Sequence, residues 1–322
     1  MSSLDPLAKL SRKRMENWNF HGRGSLLREI WSHKMLYIML LPAMLFLFTF
    51  SYRPMAGVII AFKDFFPGQS IWSAQWTGFD NFEFLKYPEF LRVLGNTLAI
   101  TGLKLLFGFP APILLALMFN EIRGSRFKRV SQSIVYLPHF MSWIVVAYII
   151  ESFLSPSVGL LNKMMDGVGM EPVAFLAKPQ YFRLIFVASS IWKEVGWGTI
   201  IYLAAITSID PSLYEAAYVE GAGRFKQMLY ITLPCIMPTI SVLLVLNIPN
   251  VLNVGMEQIL PLMNPANLPV SDVLDTYILR NGLQQGNYSV STAVGLLSSI
   301  VKLALILFTN YFSKKMGGAG LW

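Results

Sequence analysis

Charge is what this sequence is shortest of. Only 14% of its 322 residues are Asp, Glu, Lys or Arg, against about 25% in an ordinary soluble domain. Hydrophobic residues make up 54% and the mean hydropathy is +0.52. Cysteine is nearly absent. The one thiol, Cys235, excludes an internal disulfide and a cysteine-rich metal site. Beside Pro234 in an apolar run, it is expected to be a small buried hydrophobe. Three histidines, His21, His33 and His139, are too few for a histidine-rich metal centre. Signatures of nucleotide binding and hydrolysis are also missing. There is no G-x-x-x-x-G-K-S/T loop for phosphates, no H-E-x-x-H and no G-x-S-x-G. Gly221-Ala222-Gly223 lacks the third glycine and the preceding strand of a dinucleotide loop. The chain is expected to be non-catalytic, to carry no metal or cofactor of its own, and to have lipid as its main solvent.

What is present is apolar sequence in long runs. About 20 apolar residues are needed to cross the roughly 30 Å hydrocarbon core. Six segments reach that length, near 35–62, 97–119, 132–154, 184–206, 235–254 and 291–313. The first contains Pro42 and Pro54 and is expected to tilt or kink. No cleavable signal is evident, because the first 34 residues are polar and basic and the run after them is too long. The basic residues concentrate in alternate connections: Arg12, Lys13 and Arg14, then Arg123, Arg126, Lys128 and Arg129, then Arg224 and Lys226, then Lys314 and Lys315. The other connections, near 63–96, 155–183 and 255–290, are longer and hold fewer. Both termini are therefore expected on the cytoplasmic side, and the net charge of +8 needs no nucleic-acid partner. The expected division is a cytoplasmic segment 1–34, a transmembrane domain 35–313 with a cytoplasmic loop 208–234, and a tail 314–322. Within 1–34, Leu26, Leu27, Ile30 and Trp31 share a helical face, suiting a helix on the inner membrane surface or one packed on the bundle.

A few polar residues interrupt the spans. Lys193 and Glu194 fall about nine residues from the outer end of the fourth, near the bilayer midplane at ~1.5 Å per residue. They lie within IWKEVGWGTI, between Trp192 and Trp197. Charges at that depth face a bundle interior, a cavity or a partner. They mark either a substrate pathway or an interhelical ion pair. As neighbours they diverge by about 100° and cannot both point at one ligand. Lys104 and Lys302 are the other intramembrane cations. In the fifth span Asn247 and Asn250 share a face around Pro249. They are candidates either for interhelical hydrogen bonding or for a broken helix lining a polar path. The candidate pathway set is Trp192, Lys193, Glu194, Trp197, Asn247 and Asn250.

The sharpest pattern is residues 215–234, EAAYVEGAGRFKQMLYITLP. Asp210 is a suitable N-cap and Pro211 a suitable first helical residue for a short helix over 212–220. Ala216 and Ala217 give it a slim face, Gly221 and Gly223 permit a turn, and a second helix is expected over 224–233. The spacing reads E-A-A, three residues, Gly221, nine residues, Ile231, one residue, Leu233-Pro234. It resembles the EAA signature of the membrane subunits of binding-protein-dependent ABC importers, in the loop before the last two spans. YLPHFMSWIVVA, IWKEVGWGTIIYLAAITSIDPSLYEAA, DTYILRNGL and the final GLW look like one branch of carbohydrate-importer permeases, which includes those for alginate and rhamnogalacturonan fragments. Pro249 in NIPN departs from that branch, where a small residue such as glycine is expected.

The resemblance implies an all-α, six-span type I ABC importer permease in the bacterial inner membrane, serving oligosaccharide import as half of a heterodimer. It implies a homologous second permease, an extracytoplasmic solute-binding protein and two ATPase subunits that bind the ATP and Mg. It also implies coupling to the ATPase through Glu215, Ala216, Ala217 and Gly221, with Glu220 and Gly223 completing the candidate set. The same role with a non-sugar cargo, and a secondary transporter acting alone, are the alternatives.

Overall fold

The computed structural model describes residues 31–247 and 253–315. Leu26, Leu27, Ile30, Pro249, Asn250 and the end of the tail lie outside the described residues. The chain divides into two units, Met1–Val58 and Ile59–Trp322.

Most described residues are helical. Helix α1 runs Lys34–Phe62, α2 Pro88–Glu121, α3 Ser125–Phe140, α4 Trp143–Leu154 and α5 Leu160–Asp166. Helix α6 runs Pro179–Thr207, α7 Pro211–Val219 and α8 Arg224–Asn247. Three short helices follow, α9 Met256–Leu262, α10 Leu268–Ser271 and α11 Leu274–Leu279, before α12, Tyr288–Lys315. The all-α expectation has one small exception, an antiparallel pair of strands, β1 (Lys63–Asp64) and β2 (Gln75–Trp76). Among the described residues five helices are long and apolar enough to cross a membrane, and a sixth crossing requires α3 and α4 together.

Three of the spans share one device. A π turn at Phe48–Tyr52 in α1, Lys104–Gly108 in α2 and Met228–Thr232 in α8 ends two residues before Pro54, Pro110 and Pro234 respectively. A helical proline lacks an N–H, and its ring collides with the carbonyl one turn back. Widening that turn by one residue moves the carbonyl aside. Arg53 N then bonds Phe48 O, and Leu233 N bonds Met228 O. In the first span the chain stays helical through both prolines, with Pro42 inside an α-helical stretch and a single π turn before Pro54.

The third span is where the structure departs most from the sequence reading. A single helix over 132–154 was the expectation, but α3 and α4 meet at 103°. Pro138 tightens the end of α3 into a 3-10 turn, Leu137–Phe140, and Ser142 then starts α4 by accepting from Val145 N. Several helices also begin earlier than the apolar runs do, α3 at Ser125 rather than 132 and α6 at Pro179 rather than 184 among them. Helix α2 starts at Pro88 rather than 97, and α8 at Arg224 rather than 235, so the expected separate helix 224–233 is the first part of α8. Cys235 is exposed rather than buried. In a lipid-facing helix an exposed small apolar side chain is at no disadvantage.

Within the second unit, α6 is the central element. Gly196 lies so close to α3 that an added Cβ would sit 2.2 Å from the Val135 carbonyl oxygen, and at Gly198 it would meet Pro112 of α2 at 3.0 Å. Ile113, Ala116, Tyr202, Leu203, Ile206 and Ile236 close the core between α2, α6 and α8. A second core joins Ile100, Ala147, Phe182 and Phe186 to Val254, Ile259 and Val273. The short helices α9–α11 are fastened by buried polar groups. Asn96 donates to Pro269 O and Asp272 O at 2.9 and 3.0 Å and accepts from Arg183 at 2.9 Å. Arg280 reaches Asp272 at 2.8 Å and Glu89 at 2.7 Å.

Candidate functional site

The described residues form two places of interest, a cavity along α6 and the loop that follows it. The cavity holds about 380 Å³. Its wall combines Thr101, Lys104 and Pro112 of α2, Ser190, Glu194, Trp197 and Tyr202 of α6, Asn247 of α8, and Asn253 beyond it. Glu194, Trp197 and Gly198 share one face of α6 because they are three and four residues apart.

Lys193 lies off that face and is 5% exposed. Its ammonium donates to the His139 carbonyl oxygen at 2.8 Å and to Glu194 Oε1 at 3.1 Å, and it stands 5.1 Å from the centre of the Trp143 ring. His139 Nδ1 donates to Glu194 Oε2 at 2.7 Å, and its ring lies flat on Trp197 at 4.5 Å. The adjacent Lys193 and Glu194 therefore part as their helical spacing requires. Glu194 faces the cavity, and Lys193 faces the break between α3 and α4. A broken span leaves backbone carbonyls without partners, and in lipid these must be satisfied by protein. Lys193 satisfies one of them.

Of the candidate pathway residues, Glu194, Trp197 and Asn247 line the cavity. Trp192 and Lys193 do not, and Asn250 lies outside the described residues. Asn247 bonds back to Leu243 O of its own helix at 2.9 Å rather than across to another. Lys104 and Lys302, expected to face the bundle interior, a cavity or a partner, hold the segment after residue 252. Lys104 donates to Val254 O at 2.8 Å and Gln258 Oε1 at 3.1 Å, and Lys302 to Asn253 Oδ1. His139, Thr101 and Asn253 were not candidates. For His139 the available signal was the Pro138 beside it, which marks a helix end.

The loop is built as its sequence dictates. Asp210 caps α7 by accepting from Ser212 N at 2.9 Å, and the hydrogen bonds from Ser212 hold its carboxyl below the usual carboxylate range. Gly221 has φ +78°, and Ala222 N closes the helix end on Ala217 O at 2.9 Å. This left-handed C-terminal stop is the reason for a glycine there. Gly223 has φ −67° and ψ 163°, ordinary extended backbone, so the turn requires only one of the two expected glycines. Tyr214 ties α7 to α8 through a 2.8 Å hydrogen bond with Thr232, and Arg224 pairs with Glu121 of α2 at 3.4 Å. Glu215, Ala216 and Glu220 are exposed and Ala217 is half-buried. Tyr218 and Val219 stand out from the same helix, 77% and 86% exposed.

Comparison with known proteins adds the following. Residues 108–318 match the family described as binding-protein-dependent transport system inner membrane component. The chain is 46% identical over 303 residues to Protein LplB of Bacillus subtilis (strain 168), covering 94% of this chain and 95% of that one. It is 43% identical over 301 residues to the polygalacturonan/rhamnogalacturonan transport system permease protein YteP of the same organism, covering 93% and 94%. A chain in the crystal structure of a bacterial alginate ABC transporter, in complex with an alginate pentasaccharide-bound periplasmic protein, superposes with a TM-score of 0.86. The two are 44% identical, covering 92% of this chain and 99% of that one.

Proposed function

The chain belongs to the inner membrane components of binding-protein-dependent ABC transport systems, and from that membership we propose a full division of labour. It forms half of an import pathway for oligosaccharides, and a homologous second permease forms the other half. A solute-binding protein delivers cargo on the outer side. Two ATPase subunits, which hold the ATP and Mg, dock on the inner side, where both termini of this chain lie. The cargo class rests on the likeness to permeases and transporters whose names specify polygalacturonan, rhamnogalacturonan and alginate.

The observation that carries the coupling role is α7. It is a capped helix outside the apolar spans, tied to α8 by Tyr214 and Thr232, with Glu215 and Ala216 left exposed. Such a helix suits a cleft on a soluble partner. Ala216 and Ala217 allow close approach, Glu215 and Glu220 offer charge, and Gly221 stops the helix without bulk. ATP-driven closure of the motor moves α7, and α8 carries that motion into the membrane. The cavity walled by Glu194, Trp197 and Asn247 is this chain's share of the pathway, and ligand and nucleotide bias it between inward- and outward-open states.

Co-purification of the ATPase with Glu215→Lys and Gly221→Trp variants tests the assignment. Loss of the ATPase, or of uptake with the ATPase retained, is the expected result. Wild-type assembly together with wild-type uptake in both variants would sink it.

A further inference from the structure

The polar cluster at the break between α3 and α4 has a role beyond closing the fold. Glu194 is the one carboxylate among the described residues of the cavity wall. A glutamate normally loses rotamer freedom when it binds a ligand, yet this one is fixed beforehand at both oxygens. Oε1 accepts from Lys193 Nζ at 3.1 Å and Oε2 from His139 Nδ1 at 2.7 Å. An ionised carboxylate only accepts, so the imidazole must carry its proton on Nδ1. The ring lies flat against Trp197 at 4.5 Å with planes 4° apart, and the backbone that carries it is fixed where the His139 carbonyl takes Lys193 Nζ at 2.8 Å. Each carboxylate oxygen can accept further bonds, and 43% of the Glu194 side chain remains open.

We infer that His139 is a positioning residue for transport: through Nδ1 it holds the Glu194 carboxylate in the cavity wall, turned to accept hydroxyl hydrogens from a saccharide in transit. The inference rests on the pathway reading above. The chemistry that fits is a polyol with hydroxyls on adjacent carbons, since two O–H groups can donate to the two oxygens of one carboxylate. His139 touches Glu194 and Trp197, not the cargo. Lys104, across the same cavity, is already engaged with Val254 O and Gln258.

The test uses the whole transporter in proteoliposomes with its binding protein. The probe is whichever of alginate, polygalacturonate and rhamnogalacturonan fragments the wild type imports fastest, and the readout is ATP hydrolysed per oligosaccharide delivered. His139→Asn keeps an N–H near the position of Nδ1 and loses the ring. His139→Phe keeps a ring against Trp197 and loses the donor. Expected are a rise of about fivefold in the ratio for His139→Phe, a similar rise for Glu194→Gln, and a value within about twofold of wild type for His139→Asn. A merely structural role would lower uptake and hydrolysis together at a constant ratio in His139→Phe, and that result overturns the inference. Equal defects in the Asn and Phe variants do so too. A rise in Glu194→Gln with none in His139→Phe removes the positioning role and leaves the pathway reading standing. Wild-type ratios in both Glu194→Gln and Asn247→Leu remove the pathway reading, and the inference with it.

Discussion

The ammonium of Lys193 lies 2.8 Å from the main-chain carbonyl oxygen of His139, 54 residues earlier in the chain. A charge at this depth looks like part of a conduction path, but here it completes the backbone of a broken span. The same side chain neutralises Glu194 at 3.1 Å, so one buried cation serves two acceptors in the same cluster.

Lys193→Met should therefore be costly, because it leaves a carbonyl unpartnered and Glu194 without its counter-charge. The expected loss is about 2 kcal/mol, toward the low end for such a pair because Glu194 is partly open. Thermal unfolding of the detergent-solubilised protein measures it, and Lys193→Met/Glu194→Gln should recover part of the loss. An unchanged Tm for Lys193→Met would contradict this account of the break.

The two loop glycines should part company on substitution. Gly221→Ala places a Cβ at φ +78°, which costs about 1 kcal/mol. Gly223→Ala meets nothing within 4 Å and keeps an ordinary φ, so it should be nearly neutral. Gly196→Ala is the severe case, with its Cβ 2.2 Å from the Val135 carbonyl oxygen. It should cost at least about 3 kcal/mol or abolish expression. Ranking the three by Tm checks all of these at once.

Asp210 sets a pH dependence at the start of α7. Hydrogen bonds from Ser212 hold its folded pKa below the ordinary 3.8. A carboxylate depressed in this way contributes in full above its unfolded pKa, and the contribution is lost as pH falls through the folded one. Amide exchange at Ser212 and Leu213 should rise relative to the intrinsic rate only below about pH 4. In Asp210→Asn, which keeps a capping oxygen, that rise should be absent. A transition near neutral pH would point to a different group.

Arg280→Met should damage the short helices α9–α11. Asp272 is fully buried and would lose its 2.8 Å partner, keeping only the Thr276 hydroxyl. A buried carboxylate stripped of its cation costs about 3 kcal/mol. Faster proteolysis within 256–284 than elsewhere is the expected sign. Asp272→Asn/Arg280→Met should be milder than Arg280→Met alone.

The loop and five of the six expected spans were legible in the sequence because each depends on local spacing. Asp210, Pro211 and Gly221 act within a few residues of themselves, so composition and order suffice. The divergence of Lys193 and Glu194 was also legible, since 100° per residue is a property of any helix. Which of the two would face the cavity was not, because the packing of α6 on other helices, at Gly196 against Val135 and Gly198 against Pro112, sets it. Helix starts were misplaced for a related reason. Hydropathy marks where lipid begins, and α2 and α8 begin before it, with Glu89 and Arg92, and Arg224 and Lys226, near their starts. The bend after Phe140 has apolar sequence on both sides, so periodicity passes over it. Pro138 was the only local sign.

The π turns before Pro54, Pro110 and Pro234 have a consequence for how such chains can vary. Each adds one residue, and each added residue rotates everything after it by about 100° about the helix axis. The two halves of α2 or α8 are therefore out of phase, and a heptad drawn through the whole span describes neither half. A lone deletion inside a turn would swing the downstream face, Pro112 and Ile113 in α2 or Ile236 in α8, away from the contacts it makes with α6. Removing one residue from such a turn should therefore be tolerated only when the proline that follows is replaced as well.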